Sequence, residues 1–301
     1  MSVAAGGMDV STGVTEEGTM FVIMGGTGQV GSAAADALLR RGEAVTIVTR
    51  DAQSASPWRE KGAEIAVADV ADASALHDVF SSGRRAMLLN PPADPAGDTD
   101  AAEHRTVDAI LTALDGSGLE KVVAVSTYGA ASGVRIGDLG TLWRLEDGLT
   151  GQGIPAAVNR GAYYMSNWDG FVGGVRDSGV LPSMLPADMI LPMVSPADVG
   201  EAAAQRLLSG LSDVGIVHVE GPRRYTPTDV AAALAIQLRR PVDVEVTPLA
   251  ELEDTFTAFG FSAVAAASYA GMTRRVISSP DLPENPWRGE TTLQQHIRAF
   301  A

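Results

Sequence analysis

Three glycines at three-residue intervals, Gly25, Gly28 and Gly31, follow directly on the apolar run Met20-Phe-Val-Ile-Met24. Glycine lets the backbone turn tightly and approach a ligand closely, and the free N–H groups that open a helix attract negative charge. A buried strand, a turn through Gly25-Gly26-Thr27-Gly28-Gln29-Val30-Gly31, and an alanine- and leucine-rich helix after it would together grip a diphosphate. The expected ligand is a dinucleotide. A tight turn without a ligand is the alternative reading of the same glycines.

Further residues fall where such a ligand would need them. Arg50 ends the second β-branched run, Ala44–Thr49, where a cation suits the 2′-phosphate of NADP and a carboxylate would suit NAD. Asp51 follows and would blunt that preference, and Arg50 also reads as a solvated strand end. Asp69 could accept the adenine amino group while Val70 packs on the ring; alternatively Asp69 caps a helix, although Asp72 is better placed. Asn90-Pro91-Pro92 offers a stiff loop beside the middle of the cofactor. Ser126 and Thr127 end the fifth strand and would flank a nicotinamide, with Tyr128 the polar group over substrate. Ser126 and Tyr128 are thus the candidate catalytic residues. Tyr163, Tyr164 and Trp168 could wall an aromatic substrate pocket, or simply seal an interface.

Positioning these groups requires alternating strands and helices. Strands are predicted at 20–24, 44–49, 64–68, 85–89, 121–126, 154–159 and 215–219, and helices at 29–41, 55–61, 72–81, 99–115 and 139–150. Gly42, Gly62, Gly83 and Gly118 fall at helix ends, where left-handed caps are expected. This pattern predicts a Rossmann-type, doubly wound α/β fold with a mostly parallel sheet over residues 19–160. Residues 1–18 read as a disordered extension. Residues 161–301 read as a mixed region that returns to the sheet and forms a smaller substrate lobe. Within it, Ser195 and Thr226 open helices, 248–275 looks helical, and a last helix spans 290–300.

Composition narrows the chemistry. The chain has no cysteine, and its four histidines show no metal-ligand spacing, so neither thiol catalysis nor a metal centre is expected. A net charge of −15 without a basic patch disfavours nucleic acid. No apolar run reaches the length of a membrane span, and the first 18 residues lack the layout of a secretion signal. A cytoplasmic protein acting on a small molecule is expected. A homodimer or a regulatory protein partner is compatible with the sequence.

The segments Gly25–Gly31, Asp69-Val70, Leu88-Leu-Asn-Pro-Pro92, Val122–Thr127, Trp143–Glu146, Asn159–Asn167, Ser195–Gly200 and Glu220-Gly-Pro222 appear in an order that resembles the NmrA-like group of atypical short-chain dehydrogenases/reductases. The resemblance covers about residues 19–245 and implies a Rossmann-type fold, NAD(P) binding, and either reductase activity or redox sensing. Short-chain dehydrogenases usually follow the strand-end serine with Tyr-x-x-x-Lys. Here those positions fall at Asp138 and Leu142: leucine can neither donate to a ribose nor stabilise a phenolate, and a solvated aspartate is a poor proton donor unless buried. The expected function is therefore an NADP-preferring oxidoreductase that reduces a small apolar carbonyl compound or quinone. The alternative is a non-catalytic NAD(P) sensor acting through a partner. Sugar-nucleotide epimerisation ranks last because it normally uses the missing tyrosine.

Overall fold

The computed structural model describes residues 20–300; the expected extension at 1–18 lies outside them. The first half runs β1 (Met20–Met24), α1 (Gln29–Leu39), β2 (Ala44–Thr49), α2 (Ser56–Glu60), β3 (Glu64–Val67), α3 (Ala73–Ser81), β4 (Arg85–Leu88), α4 (Thr99–Leu114), β5 (Lys121–Thr127), α5 (Asp138–Leu149) and β6 (Ala156–Gly161). The second half continues with β7 (Tyr163–Tyr164), a 3-10 segment Met165–Phe171, α6 (Val172–Ser178), β8 (Val180–Ser183), β9 (Leu191–Val194), α7 (Pro196–Leu208) and β10 (Gly215–Glu220). It ends with β11 (Arg224–Tyr225), α8 (Pro227–Leu238), β12 (Asp243–Val246), α9 (Leu252–Ala258), α10 (Ala263–Ser278), β13 (Trp287–Arg288) and α11 (Leu293–Phe300).

Eight strands form the main sheet in the order β13-β10-β6-β5-β4-β1-β2-β3, and every pairing in it is parallel. Parallel strands need helical crossovers, which bury both faces, so β1 and β5 read as unbroken apolar runs rather than alternating ones. On one face α1 and α7 pack through Val30, Ala34, Leu38, Val199 and Ala203. On the other, Leu76, Phe80, Val107, Ile110 and Leu145 cover the sheet from α3, α4 and α5. The expected doubly wound fold is present.

The contact between α1 and α7 explains the small residues of both. A Cβ on Gly200 would lie 2.4 Å from the Val30 carbonyl oxygen and 2.6 Å from the Ala33 Cβ. Only glycine allows the two backbones to come so close. Ser195 caps α7 by accepting the Ala197 N–H, with Pro196 as its first residue.

Beyond β6 the chain builds two small sheets, β11-β9-β7 and β12-β8, which join α6, α8 and α11 around Met165, Trp168, Leu181, Tyr225 and Leu234. Strands β10 and β13 return to the main sheet. Three details depart from the sequence reading. Gly83 does not take a left-handed cap, as Gly42, Gly62 and Gly118 do; a Cβ there would press to 2.5 Å from Val22 Cγ2, so close packing is what requires it. The helix expected over 248–275 breaks at Gly260 (φ 91°), and Ser262 recaps the chain as α10. Strand β6 starts two residues later than expected and runs to Gly161.

Candidate active site

Gly25 (φ 63°) turns the chain out of β1, and its carbonyl oxygen accepts the Gly28 N–H at 2.9 Å. A Cβ on Gly31 would stand 2.2 Å from that same oxygen, and one on Gly26 would stand 2.6 Å from Ile47 Cγ2. The turn therefore closes only with glycine at these places. Thr27, Gly28 and Gln29 are exposed, no side chain caps α1, and no acidic residue stands in its first turn. This cradle fits a diphosphate.

Arg50, exposed just past β2, has no ion-pair or hydrogen-bond partner among the described residues. The carboxylate of Asp51 accepts the Gln53 N–H at 2.8 Å and the Ser54 N–H at 3.3 Å, so it is engaged in its own turn rather than opposing an anion at Arg50. Asp69 lies exposed beyond β3 and accepts the Ala71 N–H at 2.9 Å, while Asp72 caps α3. Val70 is partly buried against the core beside it.

At the carboxyl ends of β4, β5 and β6 a cavity of about 540 Å³ opens beside the glycine turn. Of the residues singled out in the sequence, Val30, Asn90, Ser126, Thr127, Tyr128, Tyr163 and Tyr164 line it. The side-chain oxygen of Asn90 is buried there without a protein partner. Pro92, rather than the expected Pro91, reaches the cavity. Trp168 does not line this cavity: it is 3% exposed and lies behind Tyr163 (ring centroids 5.7 Å apart) in the core of the lobe. A single apolar cluster around it accounts for that placement.

Both residues expected to handle protons are committed elsewhere. The Ser126 hydroxyl, 2% exposed, donates to Glu146, which Arg160 holds through Nε at 2.9 Å and Nη2 at 2.6 Å. The Tyr128 phenol donates to Glu220 at 3.2 Å. Glu220 is fully buried and paired with Arg224 at 2.8 Å and Arg288 at 3.1 Å. Burial and the charge of Glu220 hold the Tyr128 phenol well above its ordinary range. Its proton faces a carboxylate and not the cavity.

Asp138 and Leu142, the positions counted to the missing Tyr-x-x-x-Lys, both line the cavity. So does Glu103 of α4, which sequence reasoning missed. Its signal was legible: Thr99, Glu103, Val107, Ile110 and Leu114 form one buried stripe, so an acidic residue stands on the apolar face. Burial, and after it the charge of Asp138, pushes the Glu103 carboxyl up to about 7. Burial, then Asp100, raises Asp138, against a hydrogen bond from Glu103 that lowers it. Tyr163 is pushed up to about 12 by burial, and Tyr164 is raised by burial and then by Asp138. Among the described residues no cluster of histidine and acidic side chains could hold a metal ion, and no helix is long and apolar enough to cross a membrane.

The family model described as NAD(P)H-binding matches residues 25–146, the span from the glycine turn through most of α5. An NAD(P)H azoreductase of Xenophilus azovorans is 23% identical over 243 residues, covering 80% of this chain and 82% of that protein. The triphenylmethane reductase of Citrobacter sp., solved with NADP(H), superposes with a TM-score of 0.76 at 17% identity, over 94% of this chain and 100% of that one. An NADPH-dependent quinone oxidoreductase of Escherichia coli, solved with NADPH, gives 0.72 at 20% identity, over 93% and 99%. Residues 25–146 thus match an NAD(P)H-binding family model, and the chain shares the Rossmann-type fold of these reductases.

Proposed function

We propose that the protein is an NADPH-preferring oxidoreductase that reduces a small, apolar, conjugated acceptor such as a quinone or an azo compound. The observation that carries this reading is the cavity itself: about 540 Å³, contiguous with the diphosphate cradle through Val30, and walled by Leu89, Leu142, Tyr164, Met272 and Val276. Such walls take a flat apolar molecule and exclude water from it. Bound nicotinamide supplies the hydride. The protein's part is to hold and orient. The turn Gly25–Gly31 would bind the diphosphate, Arg50 the 2′-phosphate, and Asp69 with Val70 the adenine. Asn90, Ser126 and Thr127 would border the nicotinamide, and Tyr163 and Tyr164 the substrate. The names of the azo-, triphenylmethane- and quinone-reducing relatives are in keeping with this acceptor class.

The test is oxidation of NADPH and of NADH in the presence of quinones, azo dyes and aromatic aldehydes. Turnover with NADPH preferred is expected. Tight cofactor binding without turnover across the panel would instead favour a sensor, the reading supported by Asp138 and Leu142 at the usual Tyr and Lys positions.

A further inference from the structure

One pair of groups in the cavity has no explanation in cofactor binding. Glu103, from the middle of α4, is 3% exposed, and its Oε1 accepts the Ala93 N–H at 3.1 Å. Asp138, the first residue of α5, is partly buried and lies within hydrogen-bonding reach of it. Both carboxyls line the cavity that the substrate would occupy.

Arg275, the cation that also lines the cavity, forms no ion pair with either carboxyl. Neither carboxyl has an ion-pair partner among the described residues. Asp100, one turn before Glu103 on α4, adds a third acid; it accepts the Ser268 hydroxyl of α10 at 2.6 Å and lies 3.8 Å from Arg135. Arg135 itself is spent on Asp98, at 2.7 and 3.0 Å. The other titratable groups facing the pair are the phenols of Tyr164 and of Tyr269 on α10, both un-ionised. Thr141, wholly buried on the next turn of α5, aims its hydroxyl at Glu103 but forms no hydrogen bond of normal geometry. The charge of Asp138 disfavours ionisation of Glu103, and the Glu103 carboxyl favours the ionised form of Asp138 by hydrogen bonding to it. The pair stands on the wall of a cavity in which the Ser126 and Tyr128 hydroxyls are bonded to Glu146 and Glu220 instead.

We propose that the Glu103–Asp138 pair is the proton donor of the reduction, with Glu103 holding the pair's proton at rest and Asp138 the catalytic residue through which that proton passes to the acceptor. This rests on the oxidoreductase reading. A reduced nicotinamide dinucleotide provides the two electrons as hydride. As the acceptor's C=O or N=N π bond opens, its electron pair takes the Asp138 proton to form O–H or N–H. The pair is left with two negative charges and regains a proton from solvent. Acceptors that place much negative charge on oxygen or nitrogen, such as an aldehyde or an azo bond, need this proton most; a quinone, which accepts hydride readily, needs it least.

The experiment joins a direct titration to kinetics. In the cofactor-free protein, carboxyl ¹³C chemical shifts of wild type, Asp138→Asn and Glu103→Gln are followed against pH. One proton retained by the wild-type pair to near neutrality, and a normal titration of Asp138 in the Glu103→Gln protein, support the proposal. Two carboxyls that titrate in the ordinary acidic range overturn it. Kinetically, Asp138→Asn should retain cofactor affinity but lose about 100-fold in kcat on an aldehyde or azo acceptor, with far less loss on a quinone. Its rate should also lose the pH dependence that the pair imposes on the wild type. Equal losses on all acceptors, or none, overturn the donor role. A wild type that binds NADPH yet reduces nothing overturns the oxidoreductase reading, and is distinguished by the inactivity of the unmutated protein.

Discussion

At Gly31 one methyl group decides whether the diphosphate turn can close. A Cβ there would sit 2.2 Å from the Gly25 carbonyl oxygen, and 2.9 Å from the Gly26 Cα, against backbone that cannot swing aside. Gly31→Ala should therefore weaken NADPH binding by at least ~10-fold, a loss of about 1.4 kcal/mol read by calorimetry. Wild-type affinity in that variant would mean the cradle is not where the dinucleotide sits. Arg50 acts by charge rather than shape. Arg50→Ala should raise the Kd for NADPH and leave that for NADH unchanged, because only the former carries the 2′-phosphate. Glu103 makes a prediction about stability. Its carboxyl is held up to about 7 in the folded protein against 4.5 ordinarily, so the folded state keeps a proton that the unfolded chain has already released. Stability should fall as pH rises through that window and level off above it, by about 3 kcal/mol at most. Denaturant unfolding at successive pH values measures the slope, and Glu103→Gln should flatten it.

Between elements, the tightest constraint is the crossing of α1 and α7. Gly200→Ala would drive a methyl into the Val30 carbonyl and the Ala33 side chain. Overpacking of this kind costs about 1–3 kcal/mol, and here it would also tilt the helix whose first turn is proposed to bind the diphosphate. A lowered Tm together with a raised Kd for NADPH is expected; a lowered Tm alone would place the strain away from the cradle. This crossing also marks how far the sequence could be read. The alanines of α1 and the Ser195-Pro-Ala-Asp-Val-Gly200 helix start were visible, as was the alternation from β1 to β6, because local propensity, capping and burial all agree there. What the sequence could not show is that these two helices touch across about 170 residues of chain. The short strands β7, β9 and β11 were hidden for a related reason: two to four residues carry no periodicity. At the site, glycines that a turn demands were legible. The hydroxyls of Ser126 and Tyr128 were not, since their partners Glu146 and Glu220 lie 20 and 92 residues away. Glu103 lay between these cases, a charge on an apolar stripe whose partner only the fold supplies.

For the whole molecule, the question is whether the nucleotide-binding half can stand without the rest. The sheet says no. Strands β10 and β13 extend it beyond β6, and α7 covers the face on which Val30, Ala34 and Leu38 lie. Removing everything after residue 161 would expose that apolar face and leave β6 as a bare edge, a template for pairing with other chains. The buried cations make the same point from the opposite end of the strands. Lys121, fully buried in β5, is held by the Ser209 hydroxyl at 2.8 Å and the Gly210 carbonyl at 3.0 Å. Arg206 of α7 donates to the Val158 and Gly215 carbonyls at 3.0 and 3.1 Å. Without residues 206–215 the ammonium of Lys121 would lose the hydroxyl and the carbonyl that hold it. A chain ending at residue 161 should therefore aggregate or remain unfolded, even though it contains the complete glycine turn. In the full chain, the fluorescence of Trp168 in the lobe core and Trp287 on β13 should change in the same transition as the far-ultraviolet circular dichroism, because β10 and β13 tie the second half of the chain into the main sheet. Adding NADPH should move that single transition upward by an amount set by RT ln(1 + [L]/Kd), about 2.7 kcal/mol at a hundred times Kd. Two separated transitions, with only one responding to NADPH, would mean that the lobe folds apart from the sheet it covers.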